Sequence, residues 1–440
     1  MATTAPDRTT APGPGFQLPR NVRQFFRTEQ AGALVLLAAA VAALVWANSP
    51  WKGSYASLWT TDVMVRLGGV HVHADLRHVV DEGLMALFFF VVGLEIKREL
   101  VAGELRSWRR AALPAIAAVG GMVVPASIYA IVNLGRAGSS GWGVPMATDI
   151  AFAIGALALL GPRVPSSLKL FLLSLAIVDD LGAIGVIAVF YTGSIRFEAL
   201  GVAVALIGLI ALLRTGGVVW IPAYAALGTG VWPAVYQSGV HATVAGAVLG
   251  LMAPAQSLAP AAIARAWSAD LSDDPAPAEL RAMTRLARST VSVAERLEHV
   301  LHPLVSFVIL PLFALANAGV VIDANLLKAP GAGAVVAGVV IGLVVGKAVG
   351  ITVFSWLAVR LRLGSLPQDT SWSQLLGVGL TAGIGFTVSL FIAELALTGE
   401  GLARPAKAAI LVASALAAVL GLLLLRTAGA APNEENAHVG

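Results

Sequence analysis

Asp179 and Asp180 stand side by side at the middle of an apolar run, residues 167–191. That run is long enough to cross a bilayer as a helix, which takes roughly 20 residues. An ionised Asp at that depth costs roughly 2.5–3.5 kcal/mol on insertion scales. A chain that keeps two of them must neutralise them, pair them or turn them to a wet cavity. Neighbouring helix residues lie about 100° apart, so the two carboxylates meet different surroundings. The pattern points to an ion or proton site. The plainer alternative is a protonated pair that only bonds adjacent helices.

Three other runs carry polar groups near their midpoints. Residues 142–160 hold Thr148-Asp149, with Gly143 and Pro145 just before. Residues 335–361 hold Lys347, and residues 375–397 hold Thr381-Ala382-Gly383-Ile384-Gly385, with Glu394 nearer their outer end. A lone Lys at mid-membrane would lose its proton, because burial disfavours the charged form; an Asp nearby holds the charge on. Snorkelling to an interface fails on depth, since about half a bilayer intervenes. Gly338, Gly342, Gly346 and Gly350 recur every fourth residue on the same run, a smooth face for close helix packing. The stretches 145–149 and 381–385 read as helix breaks in corresponding spans of two halves. Paired broken helices mark transporter binding sites at a repeat interface. Their free carbonyls can ligate a cation, and Asp149 and Lys347 can balance their half-helix dipoles. Ordinary Gly-rich kinks are the competing reading.

The elements that must position these groups follow from composition. Of 440 residues, 58% are hydrophobic and 12% charged, against about 25% charged in soluble domains. The expected fold class is therefore an all-α polytopic membrane protein. About twelve transmembrane helices are expected, at 31–48, 79–100, 111–134, 142–160, 167–191, 197–213, 218–230, 234–253, 299–321, 335–361, 375–397 and 402–425. A pI of about 9.6 does not imply nucleic acid, because the basic residues are strung along loops. There are no cysteines, which excludes disulfides and thiolate chemistry. No signal peptide is expected. Lys and Arg are richer on the side holding Arg98, Arg109, Arg296 and Arg426, which predicts that both termini are cytoplasmic. The expected organisation is a disordered cytoplasmic arm (1–30), a transmembrane domain (31–430) divided by a cytoplasmic linker (256–297), and a polar tail (431–440). From Val65 to Val72 the residues alternate about Gly68-Gly69, the signal of an extracellular β-hairpin. Two strands alone are marginal, so the hairpin is expected to pair with a second copy.

Two catalytic signals are set aside. Ser166-Ser167-Leu168-Lys169 fits S-x-x-K without its companion motifs. Glu298-His299-Val300-Leu301-His302 inverts the zincin order and lacks a third ligand. These residues fall instead at a cytoplasmic helix end, where His titrates near physiological pH. Glu95, Lys97, Arg98 and Glu99 fall at another and can pair with them; a solvated ring of charges is the alternative.

Taken together, the motifs resemble the NhaA-type sodium/proton antiporter family. The likeness rests on 84–89 with 92–100 (Val-Gly-Leu-Glu-Ile-Lys-Arg-Glu-Leu), 147–153 and Ala176-Ile177-Val178-Asp179-Asp180-Leu181-Gly182. It continues through Ser238-Gly239-Val240-His241-Ala242-Thr243, 296–303, Val345-Gly346-Lys347 and Gly385-Phe386-Thr387. The resemblance implies twelve helices in inverted repeats, the fourth and eleventh broken and crossing. It implies that Asp179 and Asp180 bind sodium or lithium in exchange for protons, beside Asp149 and Thr148, with Lys347 as charge partner. It assigns Glu95, Arg98, Glu99, His241, Glu298, His299 and His302 to pH regulation. It implies a multi-pass protein of the bacterial inner membrane with no cofactor and no resident metal. Asp81-Glu82 stands where another polar pair is expected, the N-terminal arm is an extension, and Glu394 is an acid without an assigned role.

The mechanism expected is competition. Sodium, a hard cation, takes oxygen ligands, as calcium and magnesium do. Ionised Asp179 and Asp180 supply them and release the ion on protonation, while one bundle moves against the other. No ATP motif appears, and the chain is not read as an enzyme. A passive cation channel shares this chemistry. An intramembrane aspartyl protease would need Gly-x-Gly-Asp, whereas Phe386 follows Gly383-Ile384-Gly385.

Overall fold

In hydrocarbon every backbone N–H and C=O must be satisfied within its own segment, so long apolar runs fold as helices. The computed structural model describes residues 20–67, 70–216, 221–255, 291–398 and 401–428. In chain order the elements are α1 (Arg20–Ala47), α2 (Lys52–Trp59), strands β1 (Asp62–Leu67) and β2 (Val70–Asp75), and α3, a continuous helical run over 76–102. Then come α4 (Trp108–Val132), a 3-10 helix (Ala137–Met146), α5 (Ile150–Leu159), α6 (Ser166–Phe190), α7 (Phe197–Thr215), α8 (Ile221–Gln237) and α9 (Ala242–Met252). After the central gap follow α10 (Val293–Asn317), α11 (Ala332–Arg360), α12 (Trp372–Thr381), α13 (Phe386–Ala396) and α14 (Ala403–Thr427).

Seven helices among the described residues are long and apolar enough to cross a membrane. Two bent pairs, the 3-10 helix with α5 and α12 with α13, would each add a span. Leu34, Val41, Val204 and Leu212 point outward, as a lipid-facing surface requires. The chain is a multi-pass membrane protein.

β1 and β2 pair antiparallel, from Leu67 opposite Val70 to Asp62 opposite Asp75. Their Gly68-Gly69 connection lies outside the described residues. The hairpin marks one face of the bundle. α10 ends on this face, where the Tyr55 hydroxyl donates to the carbonyls of Leu315 and Ala316. α3 leads from the hairpin to the opposite face, where Arg98 meets Glu298 near the start of α10.

Helix backbones approach closely where glycines face each other. A Cβ on Gly120 of α4 would collide with the carbonyl of Gly350 on α11, and one on Gly350 with that of Gly120. The glycine face expected on 335–361 is thus a packing surface against α4. Three π-helical turns, at Val79–Leu84, Val305–Ile309 and Gly342–Gly346, interrupt α3, α10 and α11. Such turns recur at functional sites, and the last one immediately precedes Lys347.

Several expected boundaries move. The arm was expected through residue 30, yet α1 begins at Arg20, because Arg, Gln and Glu sustain a helix beyond the apolar part; residues 1–19 lie outside the described ones. The linker was expected through 297, yet α10 begins at Val293. The hydroxyl of Ser292 accepts from the N–H of Glu295 at 3.1 Å, an N-cap that starts the helix early. Residues 256–290 and the tail lie outside the described ones. Where spans are expected at 218–230 and 234–253 stand α8 and α9, the latter a shorter apolar helix. Pro233 sits inside α8, and the chain turns instead at Gly239, whose φ of 86° suits glycine.

Candidate ion site at the crossing of two broken helices

The 3-10 helix and α5 meet at 48°, and α12 and α13 at 50°. Each break frees backbone groups, and the two breaks satisfy one another. The N–H of Asp149 donates to the carbonyl of Ile384 at 2.6 Å, and the hydroxyl of Thr148 to that of Ala382 at 2.9 Å. The hydroxyl of Ser389 donates to the carbonyl of Val144 at 2.8 Å.

Asp149 sits where two half-helices begin. Its Oδ1 accepts from the N–H of Phe152 at 3.1 Å, capping α5. Its Oδ2 accepts from the N–H and the hydroxyl of Thr387 at 3.0 and 2.6 Å, at the start of α13. Helix N-termini each carry roughly half a positive charge, and this one carboxylate faces both. In the sequence Thr387 stands out only as a hydroxyl just after a Gly-rich break, within Gly385-Phe386-Thr387.

Lys347 reaches this crossing from α11. Its Nζ donates to Thr148 Oγ1 at 2.8 Å and to Asp179 Oδ2 at 2.6 Å. Both members of the Lys347–Asp179 pair have side chains with 0% exposure. A buried pair of this kind is costly to assemble and costlier to break by removing one partner. Asp179 Oδ1 is buried with no hydrogen-bond partner among the described residues, a lone pair that a cation or proton fits.

Asp180, one residue on, faces elsewhere. With Asp149 and Thr148 it lines a cavity of about 50 Å³ that also touches Glu95, His302 and Thr387. A water needs roughly 10–15 Å³ of such space, so the cavity admits a small cation or a few waters. The adjacent acids are therefore divided between an ammonium partner and a small cavity.

The cavity leads towards the second expected cluster. Arg98 pairs with Glu298 and lies 3.9 Å from Glu99, and Glu99 accepts from the N–H of Glu104 at 3.0 Å. Glu298 and His302, one turn apart on α10, are buried, as is Glu95, while His299 is exposed. The structure brings Glu95, Arg98, Glu99, Glu298 and His302 to one end of the bundle and leaves His299 pointing away. It places His241 at the hairpin face, where its ring contacts Glu82 Oε1 and the carbonyl of Tyr191, both at 2.9 Å.

Glu394 also finds a partner. It pairs with Lys407 of α14 at 2.6 Å. Lys407 donates to Asn317 at 3.1 Å, and Asn317 to Asp81 at 2.6 Å. In the sequence, Lys407 and Asn317 carry no signal beyond being polar near the outer ends of apolar runs.

A family model described as Na+/H+ antiporter 1 matches residues 23–425. The chain is similar to Na(+)/H(+) antiporter NhaA 3 of Frankia alni, at 46% identity over 97% of this chain and 93% of that protein. It is similar to Na(+)/H(+) antiporter NhaA of Rhodopirellula baltica, at 46% over 92% and 93%, and to that of Rhizobium meliloti, at 45% over 94% and 95%.

Proposed function

The chain belongs to the Na+/H+ antiporter 1 family, and on that premise we propose that it exchanges cytoplasmic sodium or lithium for external protons across the bacterial inner membrane. Family membership makes it a transporter and not an enzyme, which removes the protease reading. The chain spans the bilayer about twelve times in two inverted repeats, with both termini cytoplasmic and the hairpin outside.

The observation that carries the reading is the divided acid pair: Asp179 held by Lys347 at 2.6 Å, Asp180 open to the cavity. A positive charge already sits at Asp179. A sodium ion entering past Asp180 competes with the Lys347 ammonium for Asp179, and Thr148 and the carbonyls freed at the breaks complete the oxygen set. Protonation of Asp180, as Lys347 closes back on ionised Asp179, expels the ion. Asp149 stays engaged with two helix N-termini and holds the breaks in register. The access route from the cytoplasm passes Glu95 and His302, so the charge state of the Arg98–Glu298 cluster governs entry and makes exchange pH-dependent. The hairpin from Val65 to Val72 joins two copies into a homodimer.

The test is exchange by Asp180→Asn and Asp179→Asn in proteoliposomes. Each variant should fold and lose sodium-driven proton movement. Parental exchange by either would remove that acid from the site.

A further inference from the structure

Three helices that meet at the site repeat one order of side chains. From the cavity towards the hairpin face, α3 carries Glu95, then Phe89, then Asp81. α10 carries His302, Phe313 and Asn317, and α13 carries Thr387, Phe391 and Glu394. The three Phe rings pack together. The centroid of Phe391 lies 5.6 Å from that of Phe89 and 6.3 Å from that of Phe313, and none is more than 2% exposed. Past them runs the chain Asp81–Asn317–Lys407–Glu394. The cavity touches Glu95 and His302 but none of these rings or chain members. One aromatic layer and one linked polar layer therefore separate the site from the hairpin face.

A purely apolar plug would be the more stable filling, since buried ionic networks are often neutral or worse for stability than packed apolar side chains. Their best-attested use is to hold one of two arrangements. A polar layer suits a wall that must part, because its members can exchange their bonds for water, whereas apolar surface cannot. The four members come from α3, α10, α13 and α14, so the layer joins all the helices that would have to separate.

We propose that this wall is the closed hairpin-face gate of the transport pathway, with Phe89, Phe313 and Phe391 as its seal and Asp81, Asn317, Lys407 and Glu394 as its latch. The proposal rests on the alternating-access reading above. Parting the latch admits water and protons from the hairpin side to Asp180 and lets the cation leave there.

The parent has no cysteine, so engineered thiols report without background. Asp81→Cys with Asn317→Cys, bridged by a disulfide or a short bifunctional thiosulfonate, should lose at least tenfold in exchange and recover on reduction. Full exchange while quantitatively bridged would overturn the gate. A second measurement needs no transport. A reporter cysteine, Val388→Cys on the cavity wall, is treated with a membrane-impermeant maleimide from the hairpin face. Adding Lys407→Met should speed labelling at least fivefold, and the charge swap Glu394→Lys with Lys407→Glu should slow it again. Labelling unchanged in protein that runs as a single species would show the network to be structural only. A parent that fails to exchange sodium for protons would contradict the transport reading instead, and the labelling result would stand apart from it.

Discussion

Two Lys–carboxylate pairs in this bundle share the same 2.6 Å separation and differ in everything around them. Lys347–Asp179 has both side chains at 0% exposure, between two broken helices and next to a second acid on a cavity. Lys407–Glu394 has 9% and 34% exposure, away from the helix breaks, with an amide and an acid continuing the chain. Distance alone therefore does not mark an ion site. What distinguishes the first pair is desolvation together with freed backbone and an adjacent carboxylate that the ammonium does not take. The second has the makings of a latch, because its members can be hydrated without losing a cargo.

The largest effect should fall on transport. Asp180→Asn should reduce exchange at least a hundredfold, and Asp179→Asn likewise, whereas Glu394→Gln should leave measurable exchange. A Glu394→Gln protein as inactive as Asp180→Asn would erase the distinction between the pairs. Stability should separate them next. Lys347→Ala strands a buried carboxylate and should cost about 3–5 kcal/mol, seen as a lower thermal midpoint in detergent. Removing both charges, Asp179→Asn with Lys347→Met, should restore most of that. Lys407→Met should cost clearly less than Lys347→Ala, since its partner Glu394 is 34% exposed and can be screened by water.

Much of the first pair was readable from residue type and depth. Asp179, Asp180 and Lys347 are charges that a mid-membrane position must explain, and Gly and Pro announced both breaks. The division of the acids was not readable, because it depends on where α11 crosses α6. Nor was Thr387, whose role exists only because α13 starts opposite Asp149. The second pair was hidden for a different reason. Lys407 lies near a helix start, where a basic residue ordinarily signals topology, and only the fold brings it to Glu394 and Asn317. Spacing placed Glu298, His299 and His302 together at one helix end, but on α10 His299 faces away from the buried stripe shared by the other two.

A smaller effect concerns pH. His is the side chain type whose charge changes between about pH 5 and 8, and His302 is buried one turn from Glu298. If neutral His302 favours cation entry, His302→Ala imitates the alkaline state, and Glu298→Gln removes the acid one turn away. Both should displace the activity profile to lower pH at saturating sodium, with the maximum rate kept. Overlaid profiles would assign the whole pH response to competition at Asp179 and Asp180. The smallest effect on exchange should come from deleting Arg66 to His71: the purified protein should shift towards monomer with exchange within about twofold of the parent, as two strands are marginal alone. An unchanged dimer would place the contact elsewhere.

The most direct measurement is sodium-driven proton movement in liposomes that contain only this protein. An imposed sodium gradient should drive protons in the opposite direction against their own gradient, and Asp180→Asn should abolish it. Sodium flux that runs down its gradient without moving protons uphill would mean a passive pore, and the exchange mechanism built on the divided acid pair would be wrong.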